Sequence, residues 1–190
     1  MLIPFRDVIP SRIRPWGTWA LLVLVATGLV SSPGWVPFVA NLLAVWIFGE
    51  TVESRMGHVR FALFAAGGAL VGAFTPYWLG HLPPDYPPLA ASAAAGAIVA
   101  AYFVLYPGSR ILVLAWLITF VDAIEVPAFF FGGLWVLAQA FHVLDPSIDA
   151  TPALLTCAGG IAWGLVSVWV FRRPVDWRYT PEKNSSKSST

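Results

Sequence analysis

The chain is 190 residues long, 58% hydrophobic and 11% charged, with a net charge of +1 and a mean hydropathy of +0.73. Soluble domains carry roughly 45–50% apolar and 25% charged residues, so this composition excludes a soluble globular domain and indicates a polytopic membrane protein. Five or six spans of about 20 to 25 residues with their turns fill the length; no run of Lys/Arg points to nucleic acid, and one cysteine, Cys157, excludes an internal disulfide and a cysteine metal site.

Residues 1–15 carry Arg6, Arg12, Arg14 and three prolines, which predicts a polar entry segment at the membrane surface and no long helix. The apolar run from Trp16 lacks a small-residue cleavage pattern, so no signal peptide is expected and the run is predicted as the first span, 16–30. A turn at Ser31-Ser-Pro-Gly34 leads to a short second span, 35–48, and residues 49–60, with Glu50, Glu53, Arg55, His58 and Arg60, are expected to form a wet loop. The third span, 61–79, holds Gly68 and Gly72 as G-x-x-x-G, and a proline-rich turn follows.

The fourth span, 90–105, begins Ala-Ala-Ser-Ala-Ala-Ala-Gly-Ala-Ile-Val-Ala-Ala-Tyr. Side chains this small let neighbouring backbones approach, which marks the central helix of a bundle. Residues 111–141 would measure about 46 Å as one helix against a hydrocarbon core of about 30 Å. They are therefore divided into an interfacial or re-entrant segment, 111–121, and a fifth span, 127–141, with Asp122 and Glu125 near the boundary and expected to pair with Arg110 or with backbone amides. The sixth span, 152–171, carries Gly160 and Gly164. Residues 1–172 thus form one membrane domain, and 173–190 a polar tail. Six spans place all 11 Lys and Arg residues on one side with both termini, which the positive-inside rule assigns to the cytoplasm.

Several stretches, in order, resemble the bacterial rhomboid intramembrane serine proteases. Ser92 to Tyr102 resembles their fourth-helix pattern G-A-S-G-A-(x)6-A-Y, with Ser92 at the nucleophile's place. Ile3 to Asp7 looks like their entry segment, Trp46 to Phe61 like the end of their second helix and its loop, Ile124 to Ala128 through Trp135 and Gln139 like their fifth helix, and Gly159, Gly160 and Gly164 like their sixth. The resemblance implies a rhomboid-like, all-α bundle of six transmembrane helices in the bacterial inner membrane. It also implies a serine–histidine dyad, because an alcohol attacks poorly until a base takes its proton.

The reacting groups depart from that pattern. Cys157 stands at the histidine's position, and a thiol does not relay a proton at neutral pH as imidazole does. Asn41 of the oxyanion hole is kept, but Pro37 replaces the histidine four residues before it, and Ala90 and Ala93 replace the glycines beside the serine. Loss of the general base alone costs roughly 10²- to 10⁴-fold. His81 and His142 share the side of Ser92 and are weighed as substitute bases, with an interface role favoured for each. Cys157 reads best as a packing residue, Ser92 as a helix-contact residue whose hydroxyl bonds back to its own helix, and Asn41 as an interhelical hydrogen-bonding partner of the fourth helix.

The expectation is a pseudoprotease that binds other integral membrane proteins as scaffold, client-binding factor or subunit of a complex, with no cofactor and no metal. The alternative is an active protease of altered dyad. The stretch assigned to partner binding is Phe129, Phe130, Phe131, Gly132, Gly133 and Trp135, with Gly132→Leu expected to release the partner and leave the bundle folded.

Overall fold

The computed structural model describes residues 2–7, 15–26, 35–81, 89–117, 120–140 and 150–172. In chain order these form β1 (Leu2–Asp7), α1 (Trp16–Ala26), α2 (Trp35–Met56), α3 (His58–Trp78), α4 (Ala90–Leu105), β2 (Arg110–Leu117), β3 (Phe120–Pro127), α5 (Ala128–Ala140) and α6 (Thr151–Phe171). The helices α2, α3 and α6 are each long and apolar enough to cross a membrane; α1, α4 and α5 are shorter apolar helices. The expected tail and the turns at residues 27–34, 82–88 and 141–149 lie outside the described residues.

The small-residue helix α4 is the centre of the bundle, as its composition predicts, with every residue from Ala91 to Tyr102 buried. It packs on α2, α3 and α6. Glycines make these approaches possible: a Cβ at Gly68 would meet the Ala97 side chain, one at Gly72 the Ala93 side chain and the Thr156 carbonyl, and one at Gly160 the Ala93 carbonyl. Backbones this close exchange dispersion where no hydrophobic drive exists between lipid-solvated helices. Trp163 lies across Gly67 and donates from Nε1 to the Phe64 carbonyl at 3.0 Å, so this mid-span tryptophan fills a gap within the bundle.

Two expectations are corrected. The second helix does not stop at Phe48; it runs on to Met56, and Thr51, Val52, Glu53 and Met56 are buried, so residues 49–56 are no wet loop. The break comes at Gly57, whose φ of 84° suits a residue without a Cβ. The reason the helix continues inward is Glu53, which is fully buried against the start of α1. Its Oε1 accepts from the Gly17 amide at 2.7 Å, and its Oε2 accepts from the Thr18 amide and hydroxyl, each at 2.7 Å. His58 Nδ1 closes on Oε1 at 2.5 Å. A carboxylate here satisfies amides that a helix start leaves without partners and sits at the positive end of its dipole.

The second correction concerns the segment before α5. It is a β-hairpin, and β1 adds to it, giving a three-stranded antiparallel sheet of order β1-β2-β3 beside the six helices. The run from Ile111 to Val126 is rich in branched and aromatic residues, which favour a pleated surface. Pro4 is tolerated because β1 is an edge strand, and the register shifts between Pro4 and Arg6. At the root of the sheet Ile111 is buried and Val126 packs on the bundle core, while Arg110 Nη1 meets Glu125 Oε2 at 3.1 Å in an exposed ion pair. Glu125 therefore takes the expected partner, and Asp122 stands in register opposite Ala115.

Candidate functional site

Five polar side chains from four helices converge inside the bundle. Asn41 comes from α2 one turn after buried Pro37, Ser92 from the first turn of α4, Trp135 and Gln139 from one face of α5 at i and i+4, and Cys157 from α6. All five are buried. Each is buried inside an apolar bundle, so each polar group has to find its partner among the others or leave a donor stranded.

The side chains form a ring. Asn41 Nδ2 donates to Ser92 Oγ at 2.9 Å, Ser92 and Cys157 lie side by side, Cys157 Sγ donates to Gln139 Oε1 at 3.6 Å, and Gln139 Nε2 donates to Asn41 Oδ1 at 3.1 Å. Trp135 Nε1 adds a second bond to Asn41 Oδ1 at 3.0 Å. The expected bond between Asn41 and the fourth helix is present. Ser92, expected to bond back along its own helix, accepts at Oγ from α2, while the carbonyl four residues before it, that of Pro88, lies outside the described residues. The arrangement holds a hydroxyl against an amide and a thiol, and neither accepts a proton as an imidazole would.

Among the described residues the histidines lie elsewhere. His58 is bound to Glu53, and His81, at the end of α3, is exposed with Nδ1 on the Leu79 carbonyl at 2.6 Å. His142 falls outside the described residues. Gln139 closes the ring, although the sequence marks it only through its place in the family's fifth helix. Its i, i+4 spacing from Trp135 on a helix with no other polar group is the signal that points to it.

The stretch 129–135 divides between two faces. Phe129 and Phe130 are 69% and 58% exposed and Gly133 is open, with nothing near a Cβ placed there. Gly132 and Trp135 are buried: a Cβ at Gly132 would lie 2.6 Å from the Phe103 ring, and Trp135 belongs to the polar ring. Gly132→Leu would thus strike α4, which corrects the expectation that it leaves the bundle intact. Between α2 and α5 runs an apolar cleft of about 660 Å³, lined among others by Leu43, Phe48, Val126, Phe130 and Leu134.

A family model for the rhomboid domain matches residues 18–174. No curated protein and no solved structure matches the chain. With most of its length matched, and with a central small-residue helix that brings Ser92, Asn41 and Cys157 together, the chain belongs to the rhomboid family of multi-pass membrane proteins.

Proposed function

We propose that this rhomboid is a non-catalytic member that binds other integral membrane proteins as a scaffold or as a subunit of a membrane complex, with six spans and both termini in the cytoplasm of a bacterial cell. The observation that carries the reading is the polar ring. The Ser92 hydroxyl is held by the Asn41 amide and faces the Cys157 thiol, at the place where proteolysis needs a base. A retained bundle with a replaced dyad leaves recognition as its remaining use. The α2–α5 cleft supports this, since it is apolar, open to lipid and of a size to take side chains of a transmembrane segment.

The test has two arms. A fluorophosphonate probe on the bilayer-embedded protein should give no label above Ser92→Ala; labelling that disappears in that variant would establish the altered-dyad protease instead. Leu43→Trp places bulk in the cleft from a half-exposed position, and it should lower recovery of membrane proteins crosslinked to the wild type. Equal recovery from both would remove the cleft as the binding surface.

A further inference from the structure

We propose that the α2–α5 cleft takes one unbroken apolar transmembrane helix of the partner, laid lengthwise between α2 and α5, and rejects a segment that is extended or broken by proline. This rests on the binding role proposed above and specifies its ligand.

The lining decides the chemistry. Apart from the indoles of Trp35 and Trp135, every side chain on it is hydrocarbon. Trp135 is also the member of the polar ring that borders the cleft, and its N–H is already given to Asn41 at 3.0 Å. The walls offer little backbone, because past their first turns α2 and α5 satisfy their peptide groups within each helix, and the sheet contributes a single lining residue, Val126. An occupant therefore finds no partners for peptide groups of its own. In hydrocarbon each unsatisfied peptide group is costly, so a strand or an unwound turn entering this cleft would leave donors and acceptors stranded. An α-helix brings its hydrogen bonds with it and needs only packing from the walls.

The shape fits the same occupant. From Trp35 to Phe48 the lining covers about 20 Å along α2, a helix long and apolar enough to cross a membrane. That is about two-thirds of a hydrocarbon core of about 30 Å. α5 runs antiparallel beside it: Asn41 meets Trp135 and Gln139, while Phe48 and Gly132 meet at the Phe103 ring. Each rim is a row at i, i+4 spacing, Val39, Leu43 and Ile47 on α2 and Phe130, Leu134 and Ala138 on α5. Val39, Leu43, Phe130 and Leu134 are between 41% and 58% exposed. Rows of this kind are the ridges against which another helix packs, and the small side chains of Ala40 and Ala44 deepen the floor below them. A proline kink would lift part of the occupant off so straight a seat.

The experiment reads a synthetic peptide against the full chain in phosphatidylcholine liposomes. The probe is a lysine-flanked transmembrane helix of leucine and alanine with a quencher at mid-span, and its counterpart carries a central Gly-Pro pair. The donor fluorophore sits on Leu137→Cys, an exposed position of α5 next to Ala138 but outside the lining, or on Val166→Cys of α6, 76% exposed, which records chance encounters in the bilayer. The native Cys157 is buried. The unbroken peptide should quench position 137 above position 166, saturably, and Leu43→Trp should abolish the excess; the kinked peptide should need about tenfold more peptide per lipid for the same effect. Both peptides meet the same labelled protein, so a folding defect cannot produce the difference. Equal binding of the two peptides, or stronger binding of the kinked one, would overturn the helix requirement and leave the cleft as a binding surface. No excess at position 137, the result if lipid chains keep the cleft, would overturn it as well, as would an excess that survives Leu43→Trp. Quenching between donor-labelled and quencher-labelled copies of the chain without peptide would make a second copy the occupant and refute the proposal. The binding role itself fails separately, when Leu43→Trp leaves recovery of crosslinked membrane proteins unchanged.

Discussion

Replacing Glu53 by glutamine tests the idea that a buried carboxylate, and not a wet loop, fastens α1 to the bundle. The two carboxylate oxygens accept four contacts, Gly17 N–H and His58 on Oε1 and Thr18 N–H and O–H on Oε2. Glutamine keeps the shape and supplies one accepting oxygen, so its amide hydrogens must face two of those donors. The Thr18 hydroxyl rotates away from the clash, but a backbone amide does not. Each buried donor left without a partner costs about 1–3 kcal/mol, which places Glu53→Gln about 2–4 kcal/mol below the wild type. His58 is 45% exposed, and its half of the pair is worth under about 1 kcal/mol. The assay is equilibrium unfolding in mixed micelles with rising SDS, with hydrogen exchange over residues 16–26 as the local readout. Glu53→Gln should lower stability severalfold more than His58→Ala and should raise exchange in α1 before the rest. A Glu53→Gln protein within about 0.5 kcal/mol of the wild type, or a His58→Ala protein equally destabilised, would refute the reasoning.

Gly160→Ala drives a methyl into the Ala93 carbonyl and should cost about 1–3 kcal/mol in the same assay, whereas Gly133→Ala enters open space and should stay within about 1 kcal/mol of the wild type. Gly132→Leu should lower the unfolding midpoint by displacing Phe103, where a midpoint equal to the wild type's would contradict the α4–α5 contact. Asn41→Ala strips the acceptor from both the Trp135 and Gln139 N–H groups and should cost about 2–4 kcal/mol, with a change in tryptophan emission as the optical check. A cysteine at Lys187 should resist an impermeant reagent added to the periplasmic side of intact cells; ready labelling there would overturn the six-span topology.

Much of this protein is legible in its sequence, because the bilayer simplifies the reading. Apolar runs must be helices when lipid offers no hydrogen bonds, so Ala90–Leu105 emerges with its bounds intact, and its methyl-sized side chains already make it the helix that others surround. The bond from Asn41 to that helix follows from the same rule, since a lone amide in an apolar span has to be answered. What the tertiary structure alone decides is the fate of polar groups near the membrane boundary, where water competes and composition stops discriminating. Glu53 has the same local surroundings in sequence as a solvated helix end; only its meeting with the start of α1, 35 residues earlier, turns it into a buried anchor. The sheet is decided in the same way. Arg110–Pro127 is apolar enough for helix or strand; the pairing of its two halves as a hairpin, extended by Leu2–Asp7 from more than a hundred residues away, selects the strand, and the bonds to that distant partner leave no local trace.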